Sequence, residues 1–296
     1  MIEKLNEYGQ VSLNASLAKL TTLKVGGNSL GVFYPRDLVG LMASLQYLKT
    51  HQINYRIFGH GSNILASDKD YNGVIIKLNR TLNATYFLDD EVLVEAGASL
   101  VLLSDLAMKQ SLTGLEWAAG IPATIGGAIF MNAGAYKRSM SDVVKEVLVL
   151  VDNELKWISH KECQFSYRSS IFQQHPEWLI VATKLKLDKG DLEDIKEVMA
   201  RRKKQRLDTQ PLDASSCGST FRNLDNDASW KLIDSCGLRG FSLGGAQVST
   251  KHSNFIINTG HATASDMIKL IQLIKSSVKE KHGVDLQLEV EQFNWD

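Results

Sequence analysis

The sequence has little cysteine and no long apolar run. Its 296 residues include three cysteines, Cys163, Cys217 and Cys236. Their odd number and their spacing fit neither a zinc ribbon nor a redox CxxC pair, so free thiols in a reducing compartment are expected. No run approaches the ~18 apolar residues that span a bilayer. The polar stretch from Met1 to Gln10 does not resemble a signal peptide, and a cytoplasmic location is predicted.

The chain also lacks net charge, because 33 basic residues balance 33 acidic ones. This balance gives no general attraction to nucleic acid or to an anionic membrane. The expected partner is therefore a small molecule, and an anionic ligand has to be held by local groups. His60 and His252 have no metal-like set of companions, so no metal is predicted. A monomer is expected.

Two familiar nucleotide-binding motifs, GxGxxG and GxxxxGK, are absent. Three other glycine-rich segments are present at 59–63, 119–128 and 131–136. Glycine lets a backbone approach a ligand closely, and successive free N–H groups can form a nest for an anion. Each segment alone also fits a tight turn. Together they favour a cofactor that carries phosphate, without naming it.

Short elements of both types alternate in the first third of the chain. Apolar spacing predicts helices over 37–49 and 101–109. Runs typical of strands lie at 55–58, 74–78 and 92–96. This alternation favours an α/β arrangement up to about residue 80 and a second α+β unit after it.

A long helix is predicted over 192–206, with acidic residues at its start and basic residues at its end. Pro211 prevents simple continuation, so a domain boundary is placed near residues 206–212. The alternation over 285–292 predicts a strand.

The last helix has the clearest ends. Thr263 and Asp266 have the spacing of a capping box, and Gly283 suits the position after the final turn. The apolar residues between them repeat with helical spacing.

A series of motifs gives the sequence a specific resemblance. The motifs are TTLKVGG (21–27), GHGSN (59–63), GIPATIGGA (120–128), MNAGAY (131–136), YRSS (167–170), GSTFRN (218–223), GGAQVS (244–249) followed by Lys251 and His252, and LEV (288–290). In this order and spacing they resemble the UDP-N-acetylenolpyruvoylglucosamine reductases over about residues 20–292. The short stretch between Asp188 and Ser219 resembles the shorter subtype of that family. Ala123 replaces a usual glycine, and Leu224 and Leu288 stand where proline is common.

The resemblance implies an α+β chain with a vanillyl-alcohol-oxidase-like (PCMH-type) FAD-binding fold in two subdomains, plus a smaller α+β substrate-binding domain. The subdomains are placed at 1–80 and 81–206, the substrate-binding domain at 207–284, and a C-terminal strand returning to the active site at 285–296. FAD is the implied cofactor and NADPH the implied cosubstrate. The implied FAD-binding residues are Gly59, His60, Gly61, Ser62, Asn63, Ile121, Pro122, Gly126, Gly127, Ala133 and Gly134.

The implied reaction reduces the enolpyruvyl ether of UDP-N-acetylglucosamine to a lactyl ether, in peptidoglycan precursor synthesis. Hydride passes from NADPH to FAD and then from the flavin N5 to C3 of the enolpyruvyl group. C2 then has carbanion character, delocalised into the carboxylate. Because the cofactor supplies the hydride chemistry, the protein has to supply orientation, charge stabilisation and one proton.

The resemblance assigns this work to three side chains. Arg168 can bind a carboxylate bidentately and keeps its charge. Ser219 is a weak acid, but it is fully protonated at neutral pH and the accepting carbon is strongly basic. Glu289 would repel the enediolate as a carboxylate, so it fits as a protonated acid or as a donor through water. Without the resemblance each also fits an ordinary structural role, and Cys217 is a rival donor because a thiol is the stronger acid.

The substrate also carries a diphosphate and a sugar. Lysine and arginine suit phosphate, and tyrosine can stack or form a hydrogen bond. The candidate substrate-binding residues are Tyr167, Arg202, Arg206, Asn223 and Lys251. The basic run at 201–206 also fits a solvated helix end.

Two other functions stay open. One is an FAD-dependent oxidase of the same fold class that acts on an alcohol, with His60 or Cys217 attached to the flavin. The other is a nucleotide-sugar-binding protein that uses no flavin.

Overall fold

The computed structural model describes residues 1–295. Its α-helices are α1 (Leu17–Leu20), α2 (Leu38–Thr50), α3 (Leu100–Lys109), α4 (Ile125–Phe130), α5 (Leu192–Thr209), α6 (Ser229–Ser235) and α7 (Ala264–His282). Short 3₁₀ helices lie at Ile2–Glu7, Glu116–Ala118, Met140–Asp142 and Ile171–Gln173.

The strands are mostly short. They are β1 (Gly9–Ser16), β2 (Asn28–Pro35), β3 (Asn54–Ile57), β4 (Ile64–Ala66), β5 (Tyr71–Ile76), β6 (Thr85–Leu88), β7 (Glu91–Glu95), β8 (Leu112–Thr113), β9 (Gly134–Ala135), β10 (Arg138–Ser139), β11 (Val144–Val151), β12 (Glu154–Ser159), β13 (Leu179–Lys186), β14 (Asp188–Lys189), β15 (Ser215–Ser216), β16 (Ser242–Leu243), β17 (Ala246–Val248), β18 (Ile256–Asn258) and β19 (Glu291–Phe293). The strands predicted over 55–58, 74–78 and 92–96 correspond to β3, β5 and β7.

The chain divides into two compact units. The first consists of Met1–Ser12, Val32–His60 and Gly73–Gln205, and the second of Leu13–Gly31, Gly61–Asn72 and the chain from Arg206 onward. Residues 13–31 and 61–72, which the sequence places in the first subdomain, pack with the C-terminal residues, because Leu23, Val25 and Leu65 belong to the second core. The predicted boundary at 206/207 lies beside the change of unit. The divisions at residues 80 and 284 remain predictions.

The core of the first unit lies on a five-stranded antiparallel sheet of order β12–β11–β13–β7–β6. In β7, Val92 and Val94 are buried, while the alternate residues are more exposed. This is the alternation of a sheet with one covered face. Trp117 and the helices α3 and α4 contribute to the same core.

A second sheet, of order β1–β2–β5–β3, contains a parallel pair. β3 and β5 run side by side with Ile57 opposite Ile76, and the N–H group of Phe58 donates to the Ile76 carbonyl (2.9 Å). Parallel strands have their carboxyl ends at one edge of a sheet. The residues that follow the two strands, Phe58 and Lys77, therefore leave the sheet next to each other, and Gly59 comes directly after Phe58.

The second unit surrounds a four-stranded sheet of order β15–β18–β17–β16. The helix α7 buries Met267, Leu270, Ile271, Ile274 and Val278 in the core, as its sequence pattern predicts. The strand β4 pairs in parallel with β19.

The prediction of one strand over 285–292 was wrong. Only β19 is a strand, and the residues before it make a single bridge between Leu288 and Phe221. The N–H group of Glu289 donates to the Thr220 carbonyl (2.9 Å), whereas that of Glu291 donates to the Asn63 carbonyl (2.8 Å). A regular strand would direct the N–H groups of Glu289 and Glu291 to the same neighbouring strand. Because they bond to different segments, no regular ladder forms. The helix predicted over 192–206 also extends further, to Thr209.

The predicted capping box of α7 is present. Thr263 Oγ1 accepts a hydrogen bond from the Asp266 N–H group (3.0 Å), and Asp266 Oδ2 accepts one from the Thr263 N–H group (3.1 Å). Gly283 ends the helix with a φ of 69°, a conformation that glycine adopts without strain.

We expect Thr263→Ala to lower the free energy of unfolding by about 1 kcal/mol, because one N–H group of the first turn loses its acceptor. Chemical denaturation followed by circular dichroism measures this change. Ser276→Ala, on the exposed face of the same helix, is the matched control. Equal losses in the two variants would contradict a specific capping effect.

Candidate active site

Arg168 lies in a tight turn of the first unit. Its φ is 53°, in the left-handed region that residues other than glycine seldom adopt. Ser166 and Ser169 close the turn with two backbone hydrogen bonds of 3.1 Å each, and Gln173 Nε2 donates to the Arg168 carbonyl (3.2 Å). The surrounding structure therefore fixes an unfavourable backbone conformation, as often happens at functional positions.

The Arg168 side chain contacts a second predicted motif. Its Nη2 donates to the Gly134 carbonyl (2.9 Å), and its guanidinium carbon lies 5.0 Å from the centroid of the Tyr167 ring. Asn132 Nδ2 donates to the Ser166 carbonyl (2.8 Å). These bonds bring the MNAGAY and YRSS motifs together. Asn132 and Gln173 were missed as positioning residues, because their contacts are not visible in the sequence.

Ser219 and Glu289 lie on neighbouring segments of the second unit. The bond from the Glu289 N–H group to the Thr220 carbonyl connects the two segments. Asn63 Nδ2 also donates to the Glu289 carbonyl (3.1 Å). The structure thus brings together Ser219, Glu289 and one end of the GHGSN motif.

The backbone beside Ser219 leaves room for a ligand. Gly218 has a φ of 79°, and no atom lies within 4 Å of the position that a Cβ would take there. The half-buried Ser219 therefore has open space next to it. Leu224, a few residues on, uses its N–H group to donate to the Asp227 carbonyl (3.0 Å).

The TTLKVGG motif also reaches this part of the second unit. The N–H group of Thr22 donates to the Gly61 carbonyl (3.2 Å), and Thr22 Oγ1 donates to the Ser216 carbonyl (2.6 Å). Gly61 has a φ of 69°, and a Cβ on it would lie 2.3 Å from the Leu20 carbonyl oxygen. Any larger residue at position 61 would have to displace the backbone of this motif.

Cys217 is buried two residues before Ser219. Burial raises the pKa of its thiol to about 12, and the charge of the nearby Glu289 contributes to the increase. A raised pKa keeps the thiol protonated and makes it a weaker acid than an ordinary cysteine. This reduces the advantage in acidity that made Cys217 a rival to Ser219.

In the first unit, two of the glycine-rich segments meet at Gly59. A Cβ on Gly59 would lie 2.4 Å from Thr124 Oγ1. Thr124 Oγ1 also accepts a hydrogen bond from the Gly127 N–H group (3.3 Å), and the Gly126 N–H group donates to the Ala96 carbonyl (2.8 Å). Ala123 does not have a positive φ, so the alanine is accommodated without backbone strain.

His60 is held close to Pro122 in the same unit. Burial lowers the pKa of His60, the Lys77 charge lowers it further, and a hydrogen bond with the Pro122 backbone opposes both. His60 is therefore neutral at pH 7. Ile121 and Ala133, which belong to two of the glycine-rich segments, pack against the core of the first unit.

Each unit contains polar groups that suit a cofactor that carries phosphate. Within residues 1–295, the N–H groups of Gly59 and His60 donate to no protein acceptor. The buried Thr21 Oγ1, in the second unit, likewise has no partner in the described part of the chain. Phosphate oxygens and ligand hydroxyls are the kind of group that such sites bind.

The predicted substrate-binding residues fall into separate groups. In the first unit, the Arg202 guanidinium carbon lies 5.0 Å from the centroid of the Tyr136 ring, and the Tyr136 hydroxyl donates to the Arg202 carbonyl (3.3 Å). In the second unit, Lys251 Nζ donates to the Leu207 carbonyl, next to Arg206. Asn223 Oδ1 accepts a hydrogen bond from the Ser229 N–H group (3.2 Å). Tyr167 is half exposed.

The described residues contain neither a metal-binding cluster nor a membrane-spanning helix. No three His, Cys, Asp or Glu side chains in this part of the chain are placed to hold a metal ion. No helix within residues 1–295 has the length and apolar character to cross a membrane.

Two family profiles match the sequence. Residues 29–155 match an FAD binding domain, and residues 210–293 match the C-terminal domain of UDP-N-acetylenolpyruvoylglucosamine reductase.

Similar proteins match over nearly the whole chain. The UDP-N-acetylenolpyruvoylglucosamine reductase of Anoxybacillus flavithermus is 39% identical over 98% of both chains. That of Caldanaerobacter subterraneus subsp. tengcongensis is 42% identical over 98% of this chain and 97% of its own. The crystal structure of the UDP-N-acetylenolpyruvylglucosamine reductase of Thermus caldophilus has 33% identity and a TM-score of 0.83, over 97% of this chain and 100% of that one.

We expect Cys217 and Cys163 to resist alkylation by iodoacetamide at pH 8 in the folded protein. Burial raises the pKa of each thiol to about 12, and the thiolate is the reactive form. Peptide mapping by mass spectrometry measures the labelling, and protein unfolded in urea is the control in which both cysteines react. Rapid labelling of folded Cys217 would contradict its burial.

Proposed function

The chain belongs to the UDP-N-acetylenolpyruvoylglucosamine reductase family, and on this premise we propose that Arg168, Ser219 and Glu289 carry the proton transfer of its reaction. The chain is an FAD-dependent oxidoreductase with the vanillyl-alcohol-oxidase-like fold. It uses NADPH to reduce UDP-N-acetylglucosamine enolpyruvate to UDP-N-acetylmuramate in peptidoglycan precursor synthesis.

Bound FAD supplies the hydride chemistry of this reaction. The residues that would hold it include Gly59, His60, Pro122 and Gly127, with Gly61, Ser62, Asn63, Ile121, Gly126, Ala133 and Gly134 as the remaining candidates. The N–H groups of Gly59 and His60, which donate to no protein acceptor within residues 1–295, support this assignment.

Ser219 is proposed to donate the proton to C2 of the substrate. The observation that carries this proposal is the hydrogen bond from the Glu289 N–H group to the Thr220 carbonyl, which makes the segments of Ser219 and Glu289 neighbours. The open space at Gly218 can admit a substrate beside the hydroxyl. A serine hydroxyl needs no change in its acidity to be protonated at neutral pH.

Arg168 and Glu289 are proposed to stabilise the charge that develops on the substrate carboxylate. The bonds to Gly134 and Gln173 fix the turn of Arg168 before substrate arrives. Preorganised donors of this kind stabilise a developing oxyanion without reorganisation. Glu289 would contribute as a donor, either protonated or through a water molecule.

The other polar candidates are proposed to bind the remainder of the substrate. Arg202, Arg206 and Lys251 suit the diphosphate because each carries a positive charge. Tyr167 and Asn223 would contact the sugar.

We also propose where the enzyme acts, its oligomeric state and its role in the cell. Three free cysteines among the described residues suit a reducing compartment such as the cytoplasm. The enzyme would act there as a monomer, and its product would contribute to cell-wall biogenesis, cell shape and cell division.

We expect Ser219→Ala to lower kcat at least about 100-fold, because the carbanion loses its proton donor. Reduction of bound FAD by NADPH should continue, since that half-reaction needs no proton at C2. Stopped-flow absorbance of the flavin separates the two half-reactions.

Ser215→Ala, in β15 of the same unit, is the matched control and should keep normal turnover. Normal turnover in Ser219→Ala would rule out the donor role. A wild-type protein that takes up no flavin would contradict the function itself.

We expect Glu289→Gln to lose less than about tenfold in kcat and Glu289→Ala more than about 100-fold, because the amide keeps a hydrogen-bond donor. Steady-state kinetics with the enolpyruvate substrate measures both. Glu291→Gln, in β19, is the control. Equal losses in the two Glu289 variants would show that the negative charge is what matters.

A further inference from the structure

Lys77 is a mostly buried lysine in the first unit. It directly follows β5 and is only 8% exposed. Within residues 1–295 its ammonium group makes no hydrogen bond or ion pair. Burial lowers the pKa of Lys77, and the charge of Arg80 lowers it further. Proteins rarely bury a charge without a partner, because the lost hydration has to be replaced.

The position of Lys77 in the fold is well fixed. Its N–H group donates to the Phe33 carbonyl (2.9 Å), and the preceding Ile76 carbonyl accepts from Phe58 (2.9 Å). Lys77 therefore leaves the carboxyl edge of the β3–β5 pair beside Gly59 and His60. The effect of the Lys77 charge on His60 agrees with this closeness. The carboxyl edge of parallel strands is the usual place for a ligand in such sheets.

The neighbouring groups do not neutralise Lys77. Arg80 is a second cation, and it is engaged elsewhere: its guanidinium carbon lies 3.7 Å from the centroid of the Tyr34 ring, and its Nη1 donates to Gln10 Oε1 (3.0 Å). Asn79 has a buried side-chain oxygen with no partner in the described chain. An amide flip would present the Asn79 NH₂ group there instead. This edge of the sheet therefore offers unmatched polar groups and positive charge.

We propose that Lys77 binds a phosphate group of a ligand at the carboxyl edge of β3 and β5. The inference rests on the proposed function for its possible ligands, since FAD, NADPH and the UDP-sugar all carry phosphate. The FAD diphosphate is favoured because the N–H groups of Gly59 and His60, also without acceptors in the described chain, lie at the same edge. Lys77 would then supply charge where these two groups supply neutral hydrogen bonds.

The test uses the full-length protein from which FAD has been removed. Lys77→Met should raise the Kd for FAD about 10- to 100-fold, the effect expected for one charge-assisted hydrogen bond. The Kd for riboflavin, which has no phosphate, should stay unchanged. Quenching of flavin fluorescence measures both, and Lys77→Arg, which keeps the charge, should recover part of the affinity. Lys184→Met is the matched control, because Lys184 is paired with Glu146 (2.6 Å).

Calorimetric titration with NADPH and with UDP distinguishes the other sources of phosphate. A loss of affinity confined to one of them would support the phosphate contact and assign it to that ligand. Unchanged affinity for all three ligands would overturn the proposal. Wild-type protein that binds no FAD would instead contradict the proposed function.

Thermal unfolding of the apoprotein separates binding from a structural role. The apoprotein of Lys77→Met should be as stable as the wild type or more so, because a partly desolvated charge without a partner has been removed. Lys77→Gln repeats the FAD titration with a polar side chain, in case the methionine variant does not fold. A riboflavin affinity reduced as much as the FAD affinity, together with a less stable apoprotein, would show a structural role and overturn the proposal.

Discussion

The hydrogen bond from the Glu289 N–H group to the Thr220 carbonyl joins the last part of the chain to the loop that carries Ser219. The neighbouring bonds of Asn63 extend this connection to the GHGSN motif. In a regular strand, the N–H groups of residues i and i+2 bond to the same neighbouring strand. Here the N–H groups of Glu289 and Glu291 bond to Thr220 and Asn63 instead, and this division brings residues from distant parts of the sequence into one arrangement.

Local patterns were sufficient to predict the elements whose stability is local. Apolar spacing predicted α2, α3 and α7, and the box formed by Thr263 and Asp266 predicted where α7 begins. The same reasoning failed for residues 285–290. Their alternation is that of a strand, but their hydrogen-bond partners are chosen by tertiary contacts. The packing of residues 13–31 with the second unit was missed for the same reason.

The candidate site was predictable where a motif fixes the backbone. Gly61 and Gly59 stand where another residue would meet the Leu20 carbonyl or Thr124 Oγ1, and the motifs contain glycine at these positions. Lys77 carries no such signal. A lysine that follows an apolar run resembles any strand end, and only the structure shows that this lysine is mostly buried and that its ammonium group has no hydrogen-bond or ion-pair partner within residues 1–295. The catalytic roles of Arg168, Ser219 and Glu289 follow from the resemblance and remain proposals.

Leu224 shows that one turn can be stabilised in two ways. The sequence resembles proteins that have proline there, and a proline ring restricts the chain before it folds. This chain instead uses the Leu224 N–H group, which donates to the Asp227 carbonyl and which proline lacks. The proline acts on the entropy of the unfolded chain, whereas the hydrogen bond acts on the folded state alone. The turn after Asn223 can therefore open locally when this hydrogen bond breaks, whereas a proline ring would restrict the backbone even then.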